Sequence, residues 1–182
     1  LNMIMDAVRE FSEEVIFEKE YHYGEFVGGT TNRKLIVVVC PRILLAEQLS
    51  SEFLEFITNA AVLHVHSGET HHESTTNPKE IDEWVCNNVE KHCLIFTTYN
   101  SLSRLQKAEV YADTIYFDEA HNSVKRNFFP ATEHFSANAN RCYFFTATRK
   151  TSLTPSKPGM NDVDVYGNII CRVSAPELVD GG

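Results

Sequence analysis

The chain has 182 residues, 43% of them hydrophobic and 23% charged, with a net charge of −9. That length and balance describe a globular domain able to bury a sizeable core, and exclude a disordered or fibrous chain. No apolar run reaches the ~18 residues that a bilayer helix needs, which excludes a helical membrane protein. The acidic balance argues against a simple basic coat for nucleic acid.

Apolar residues Leu1, Ile4, Val8, Phe11 and Val15 step by three or four, which predicts an amphipathic helix. The acids Asp6, Glu10, Glu13, Glu14, Glu18 and Glu20 read as its solvated outer face. Gly24, Gly28 and Gly29 then punctuate a predicted loop. Five apolar, mostly β-branched residues, Leu35 to Val39, predict a strand buried on both faces, as in a parallel sheet. A helical pattern follows through Leu45, Leu49, Phe53 and Ile57, and Ala61 to Val65 is the second strand. Asn77 and Pro78, with Glu80 three residues after Asn77, mark a helix start whose buried side carries Ile81, Trp84 and Val85.

Further strands are predicted at Cys93–Phe96, Thr114–Phe117 and Cys142–Phe145, a polar loop at Ser152–Asp162, and a last alternating stretch from Val163 to Val173. Buried strands alternating with helices make an α/β domain with a mostly parallel sheet. In such sheets the chemistry gathers at the carboxyl ends of the strands. The start carries no basic-then-apolar leader, and the five cysteines are scattered with no C-x-x-C pair. They read as reduced thiols, so the expected location is cytoplasmic and not secreted.

The fourth strand ends in Phe117-Asp118-Glu119-Ala120-His121. Adjacent carboxylates straight after a buried strand are costly unless they serve a cation or a reaction. Asp118 suits Mg²⁺ held through water, because that ion prefers hard oxygen ligands and keeps part of its hydration shell. Glu119 suits a residue that orients or deprotonates a water attacking a phosphoryl group. The bland alternative is a turn whose acids point to solvent.

Asp118-Glu119-Ala120-His121 resembles motif II, the Walker B element, of superfamily 2 helicases and translocases. Other stretches follow in that family's order. Val38 to Gln48 resembles motif Ia, Ser67-Gly68 its glycine turn, Phe96 to Leu102 the motif Ib of restriction-enzyme motor subunits, and Thr146-Ala147-Thr148 motif III. The resemblance implies a three-layer RecA-like (P-loop NTPase) fold, with ATP and Mg²⁺ as cofactors and nucleic acid as partner. It implies that Arg42, Gln48, Thr97, Thr98 and Ser101 touch a nucleic-acid backbone, and that His121, Thr146 and Thr148 couple the nucleotide site to that groove. Arg42 as a surface charge, Gln48 as a solvated helix residue and His121 as a satisfied structural histidine stay open.

The G-x-x-x-x-G-K-[ST] loop that holds the β- and γ-phosphates has no match in these residues. Gly28 to Lys34 precedes a strand rather than opening a helix, so it reads as a surface loop. The expectation is therefore that residues 1–174 are a partial first RecA-like domain beginning just after motif I. Residues 175–182 would start a linker to a second RecA-like domain, and the stretch Val165 to Gly181 resembles such an exit. The function implied is an ATP-dependent helicase or translocase, inactive as this fragment alone.

DNA is favoured over RNA by Thr-Ala-Thr, the Thr97–Leu102 stretch and the tyrosine-glycine exit. The alternatives are an Asp-Glu-Ala-His RNA helicase, a degenerate binding domain, and a non-helicase NTPase, which would leave motifs Ia, Ib and III unexplained. His64, His66, His71 and His72 cluster, and His-x-His on a strand puts two rings on one face, but no acid or cysteine spacing completes a zinc site. Charge is uneven: residues 1–26 hold seven acids and two bases, whereas Arg42, Arg104 and Arg149 lie near the strand-end motifs.

Overall fold

The computed structural model describes residues 2–170. The expectations for Leu1, for 171–173 of the last alternating stretch, for the end of the exit stretch and for the linker 175–182 lie outside the described residues. In chain order the elements are α1 (Asn2–Glu10), β1 (Phe17–His22), β2 (Glu25–Thr31), β3 (Leu35–Cys40), α2 (Ile43–Phe56), β4 (Ala60–Val65) and β5 (Glu73–Ser74). They continue with α3 (Pro78–Asn87), β6 (His92–Thr98), α4 (Leu102–Lys107), β7 (Thr114–Phe117), α5 (Phe129–Asn138), β8 (Arg141–Phe144) and α6 (Val163–Tyr166).

Six strands form one parallel sheet in the order β5-β4-β6-β3-β7-β8. The side-chain period of two sorts β3 cleanly. Leu35, Val37 and Val39 face one layer, with Ile81, Trp84, Leu102, Leu105 and Phe135 of α3, α4 and α5. Ile36, Val38 and Cys40 face the other, with Met3, Ile4 and Ala7 of α1 and Phe53 of α2. Every residue of β3 is buried, which is why its sequence is a continuous apolar run rather than an alternating one. The three-layer α/β/α reading of the sequence holds.

Local signals account for several boundaries. Asn77 caps α3, its side chain accepting from the Lys79 N–H at 3.0 Å, with Pro78 in the first turn where its missing donor costs nothing. Glu80 serves the same turn differently from a capping box, accepting from the Thr75 hydroxyl.

Three readings are corrected. The glycine-punctuated loop, including much of Gly28–Lys34, is an antiparallel hairpin of β1 and β2 that forms its own two-stranded sheet. A Cβ at Gly29 would sit 2.6 Å from the Phe17 ring, so a larger residue there would make that ring move. The end of the chain's described part is helical at Val163–Tyr166 rather than continuously alternating.

The acidic face predicted for the first helix is also not simply solvated. Glu18 and Glu20 lie on β1, and Asp6 and Glu10 converge on Arg141 of β8. The guanidinium donates to Asp6 at 2.7 and 2.9 Å, to Glu10 at 2.6 Å and to the Tyr143 hydroxyl at 2.7 Å, while the Tyr116 hydroxyl donates to Asp6. No helix among the described residues is long and apolar enough to cross a membrane.

Candidate functional site

The parallel arrangement puts the ends of β4, β6, β3, β7 and β8 along one edge of the sheet. Their registers align Val65 with Thr97, Cys40 with Thr98, Val39 with Phe117, and Phe117 with Phe144. Four strand spacings of ~4.8 Å make this edge about 19 Å long. Thr98, Asp118, Glu119 and Thr146 lie at or just beyond those ends.

Asp118 follows β7 directly and is half-buried. Its N–H donates to the Val39 carbonyl at 2.8 Å, and its own carbonyl accepts from the Tyr99 hydroxyl at 2.7 Å. Burial first, and the Glu119 charge second, push its carboxyl above the ordinary aspartate range. A carboxylate held in this way, with a second acid beside it, is a donor that a hydrated divalent cation would relieve, so Asp118 has the chemistry to hold magnesium. No three His, Cys, Asp or Glu side chains converge as a closed metal cage among the described residues.

Glu119 sits at φ 49°, ψ 50°, a left-handed conformation that costs a non-glycine residue about 1 kcal/mol. It lets the chain turn sharply off β7 while leaving the carboxylate 47% exposed at the edge. A 3-10 turn over Ala120–Val124 follows. Ala120 anchors it, donating to the Phe145 carbonyl at 2.8 Å, and the Phe145 N–H returns a bond to Phe117 at 2.9 Å.

His121 lies over this junction. Its Nδ1 is 2.9 Å from the Thr146 hydroxyl and 3.7 Å from a Glu119 carboxylate oxygen. The Asn122 amide donates to the Glu119 carbonyl at 2.9 Å and lies 3.5 Å from Nε2. Thr146 also accepts from the Thr148 N–H at 3.1 Å and reaches the Thr148 carbonyl at 3.0 Å. Glu119, His121, Thr146 and the backbone of Thr148 are thus one connected set.

The nucleic-acid candidates are placed less uniformly. Arg42 is exposed at the start of α2, extended in backbone, with its carbonyl accepting from Ala46 at 3.1 Å. Thr98 closes β6 and Ser101 opens α4, both mostly buried near the same edge. Thr97 departs from the expectation: it is fully buried within β6, and its hydroxyl donates to the Val65 carbonyl at 2.8 Å, so its proton is committed to the sheet. Gln48 lies away from Arg42, lining a cleft of about 510 Å³ with Glu47, His64, Glu69 and His72. Arg104 and Arg149 are exposed, the latter donating to the Met160 carbonyl at 3.1 Å.

Two supporting residues carried no signal by type. Tyr99 was only one letter within the Phe96–Leu102 stretch, and Asn122 only the residue after His121. Their roles depend on hydrogen bonds to backbone and ring atoms that residue identity does not announce.

The family profile described as "Type III restriction enzyme, res subunit" matches residues 26–151, more than two thirds of the chain. No curated protein sequence matches it. Among solved structures, a nuclease-deletion mutant of the Type ISP restriction-modification enzyme LlaGI, in complex with a DNA substrate mimic, is similar in fold. Its TM-score is 0.67 at 20% identity, over 82% of this chain and 16% of that one. The chain therefore spans about a sixth of the length of that enzyme. The chain belongs to the type III restriction enzyme res-subunit family, and its RecA-like fold is that of a helicase-family motor domain.

Proposed function

We propose that this domain is part of an ATP-driven motor that moves along, or unwinds, DNA, with Asp118, Glu119 and His121 at its hydrolytic site. The observation that carries the reading is the strained Glu119 turn beside half-buried Asp118, tied through His121 to Thr146. Strained backbone persists where surrounding structure over-determines it, and such positions cluster at functional sites.

Mg·ATP, when bound, supplies the phosphoryl group and the cation that balances its charge. Asp118 would hold the hydrated cation, its carbonyl oriented by Tyr99. Glu119 would orient the attacking water and take its proton. His121, bridging Glu119 and Thr146, would report the state of the site to the loop that carries Thr148. Arg42, Thr98 and Ser101, at neighbouring strand ends, would contact nucleic-acid phosphates by charge and hydroxyl hydrogen bonds, which is sequence-independent recognition suited to a motor. Gln48 would extend that surface across the α2 cleft.

The loop that holds the β- and γ-phosphates is not among these residues, so it would come from sequence outside them. β8 supports this. Among the described residues it is the outer strand of the sheet, yet all four of its residues are half-buried and two, Tyr143 and Phe144, are aromatic, which suits a further strand adding to its outer edge. A second RecA-like domain would complete the motor. DNA is favoured as the track because the structurally similar LlaGI enzyme is described with a DNA substrate mimic.

In the full-length protein, Glu119→Gln should lower ATP turnover by at least about 10³-fold while nucleotide affinity changes little. Unchanged turnover would remove the role given to Glu119. Stimulation of ATP turnover by duplex DNA and not by RNA would support the DNA assignment, and the reverse would overturn it.

A further inference from the structure

The histidine pair His64 and His66 has no role in the hydrolytic site above, yet both rings are buried and hydrogen-bonded to one another. The two rings project from one face of the end of β4 and its following turn, 0% and 2% exposed. His64 Nδ1 is 3.0 Å from His66 Nε2, His64 Nε2 is 3.0 Å from the Ser50 hydroxyl of α2, and the Gly68 N–H donates to His66 Nδ1 at 3.1 Å.

Only one neutral arrangement of protons satisfies this chain. The Gly68 donor requires an unprotonated His66 Nδ1, so the His66 proton is on Nε2. That proton is donated to His64 Nδ1, so the His64 proton is on Nε2 and is donated to Ser50. Running the chain the other way would leave His66 with no proton at all. The same order excludes Ser50 as a nucleophile despite its resemblance to a serine–histidine–histidine triad, because the ring nitrogen facing the hydroxyl already carries a proton and cannot act as base.

We infer that this relay is an acid-opened latch: a proton added to either ring places two donors face to face and releases the 66–72 loop from α2. A proton on His64 Nδ1 would oppose the His66 Nε2–H, and one on His66 Nδ1 would oppose the Gly68 N–H. The surroundings offer His64 no carboxylate partner, and His66 only the charge of Glu47. α2 contributes Ser50 and, further off, Glu47. The loop contributes His72, stacked parallel on His64 at 5.2 Å, with Glu69 and His71 lining the adjoining cleft. β6 contributes the Phe96 ring at 5.3 Å. Glu47 is the carboxylate whose charge acts on His66.

The titration agrees in sign. Burial, aided by the charges of His66 and His72, pushes His64 down to about 4, and burial lowers His66 against opposing pulls from Glu47 and the Gly68 backbone. An opened loop returns both rings towards the ordinary value of ~6.5. Between those values the open form binds protons that the closed form refuses, so acid favours opening and the latch is shut above about pH 6.5.

The test uses the full-length protein. Histidine ¹⁵N spectra at pH 7.5 should show both rings neutral with Nε2 protonated. Hydrogen exchange of a peptide spanning Gly68, referenced to one from β6, should show opening that grows on the order of 10²-fold between pH 7 and 4.5. His64→Phe, which keeps a ring against Phe96 and removes one of the two titrating rings, should weaken that dependence and leave only the share carried by His66. Should that variant not fold, the wild-type tautomers and exchange decide the matter by themselves. A His64 proton on Nδ1, a midpoint near 6.5 for the closed ring, or pH-independent referenced exchange would overturn the latch.

Discussion

Arg141→Met would test what holds α1 to the far side of the sheet. The guanidinium bridges Asp6 and Glu10, one helical turn apart on α1, and the three side chains are 24%, 23% and 12% exposed. Removing it leaves two carboxylates facing each other across a partly dehydrated cleft. Breaking a fully buried pair costs about 3–5 kcal/mol and an exposed pair about 0–1, so this intermediate case should cost about 2–3 kcal/mol. For a domain of this size that lowers the melting temperature by about 4–12 °C. Thermal unfolding of the full-length protein, with exchange of α1 and β8 amides locating the loss, reads it.

Acid supplies a second handle on the same cluster. Burial tends to raise the Asp6 carboxyl, but hydrogen bonds from Tyr116, Arg9 and Arg141 outweigh it and hold the group below its ordinary range. A depressed carboxylate stabilises the fold fully above about pH 3.9, and that contribution is lost as pH falls through the folded value. The gap between wild type and variant should therefore close below about pH 4. Adding Asp6→Asn and Glu10→Gln to Arg141→Met should recover at least half of the loss. A single variant melting within 1 °C of wild type would refute the reasoning and reduce the cluster to an ordinary surface ion pair.

Glu119→Gly should remove catalysis as thoroughly as the glutamine variant while leaving stability unchanged or higher by up to about 1 kcal/mol, because glycine adopts the left-handed turn without strain. A clear fall in melting temperature would instead make the Glu119 side chain a structural tie. Thr97→Val should cost about 1 kcal/mol, the hydrogen bond to the Val65 carbonyl, and leave nucleic-acid affinity within twofold. A tenfold loss of affinity at unchanged stability would return Thr97 to the phosphate-binding set.

Much of the molecule is set by local pattern. Leu35 to Val39 can only be a strand covered on both faces, and once one such strand is parallel the residues that follow each strand must line one edge. That is why Asp118-Glu119-Ala120-His121, Thr146 and the Arg42 turn could be assigned to one region from order alone. Asn77-Pro78 marked a helix start for an equally local reason, since a cap acts over two or three residues.

What the sequence could not determine is everything settled by partners distant in the chain. Arg141 lies 131 residues from Glu10, so the acids of α1 looked solvated until the fold closed. The β1–β2 hairpin was hidden because its glycines read as loop and its exposed strands lack the apolar alternation that a core imposes. The two-residue period put His64 and His66 on one face, but the order of their protons depends on Ser50 from a helix and Gly68 from a turn. Thr97 and Thr98 are adjacent identical letters, yet one hydroxyl is spent inside the sheet and the other residue ends it. Periodicity and short motifs act within a few residues and survive in the sequence, whereas ion-pair partners, tautomers and the availability of a hydroxyl are properties of packing and exist only once the chain has folded.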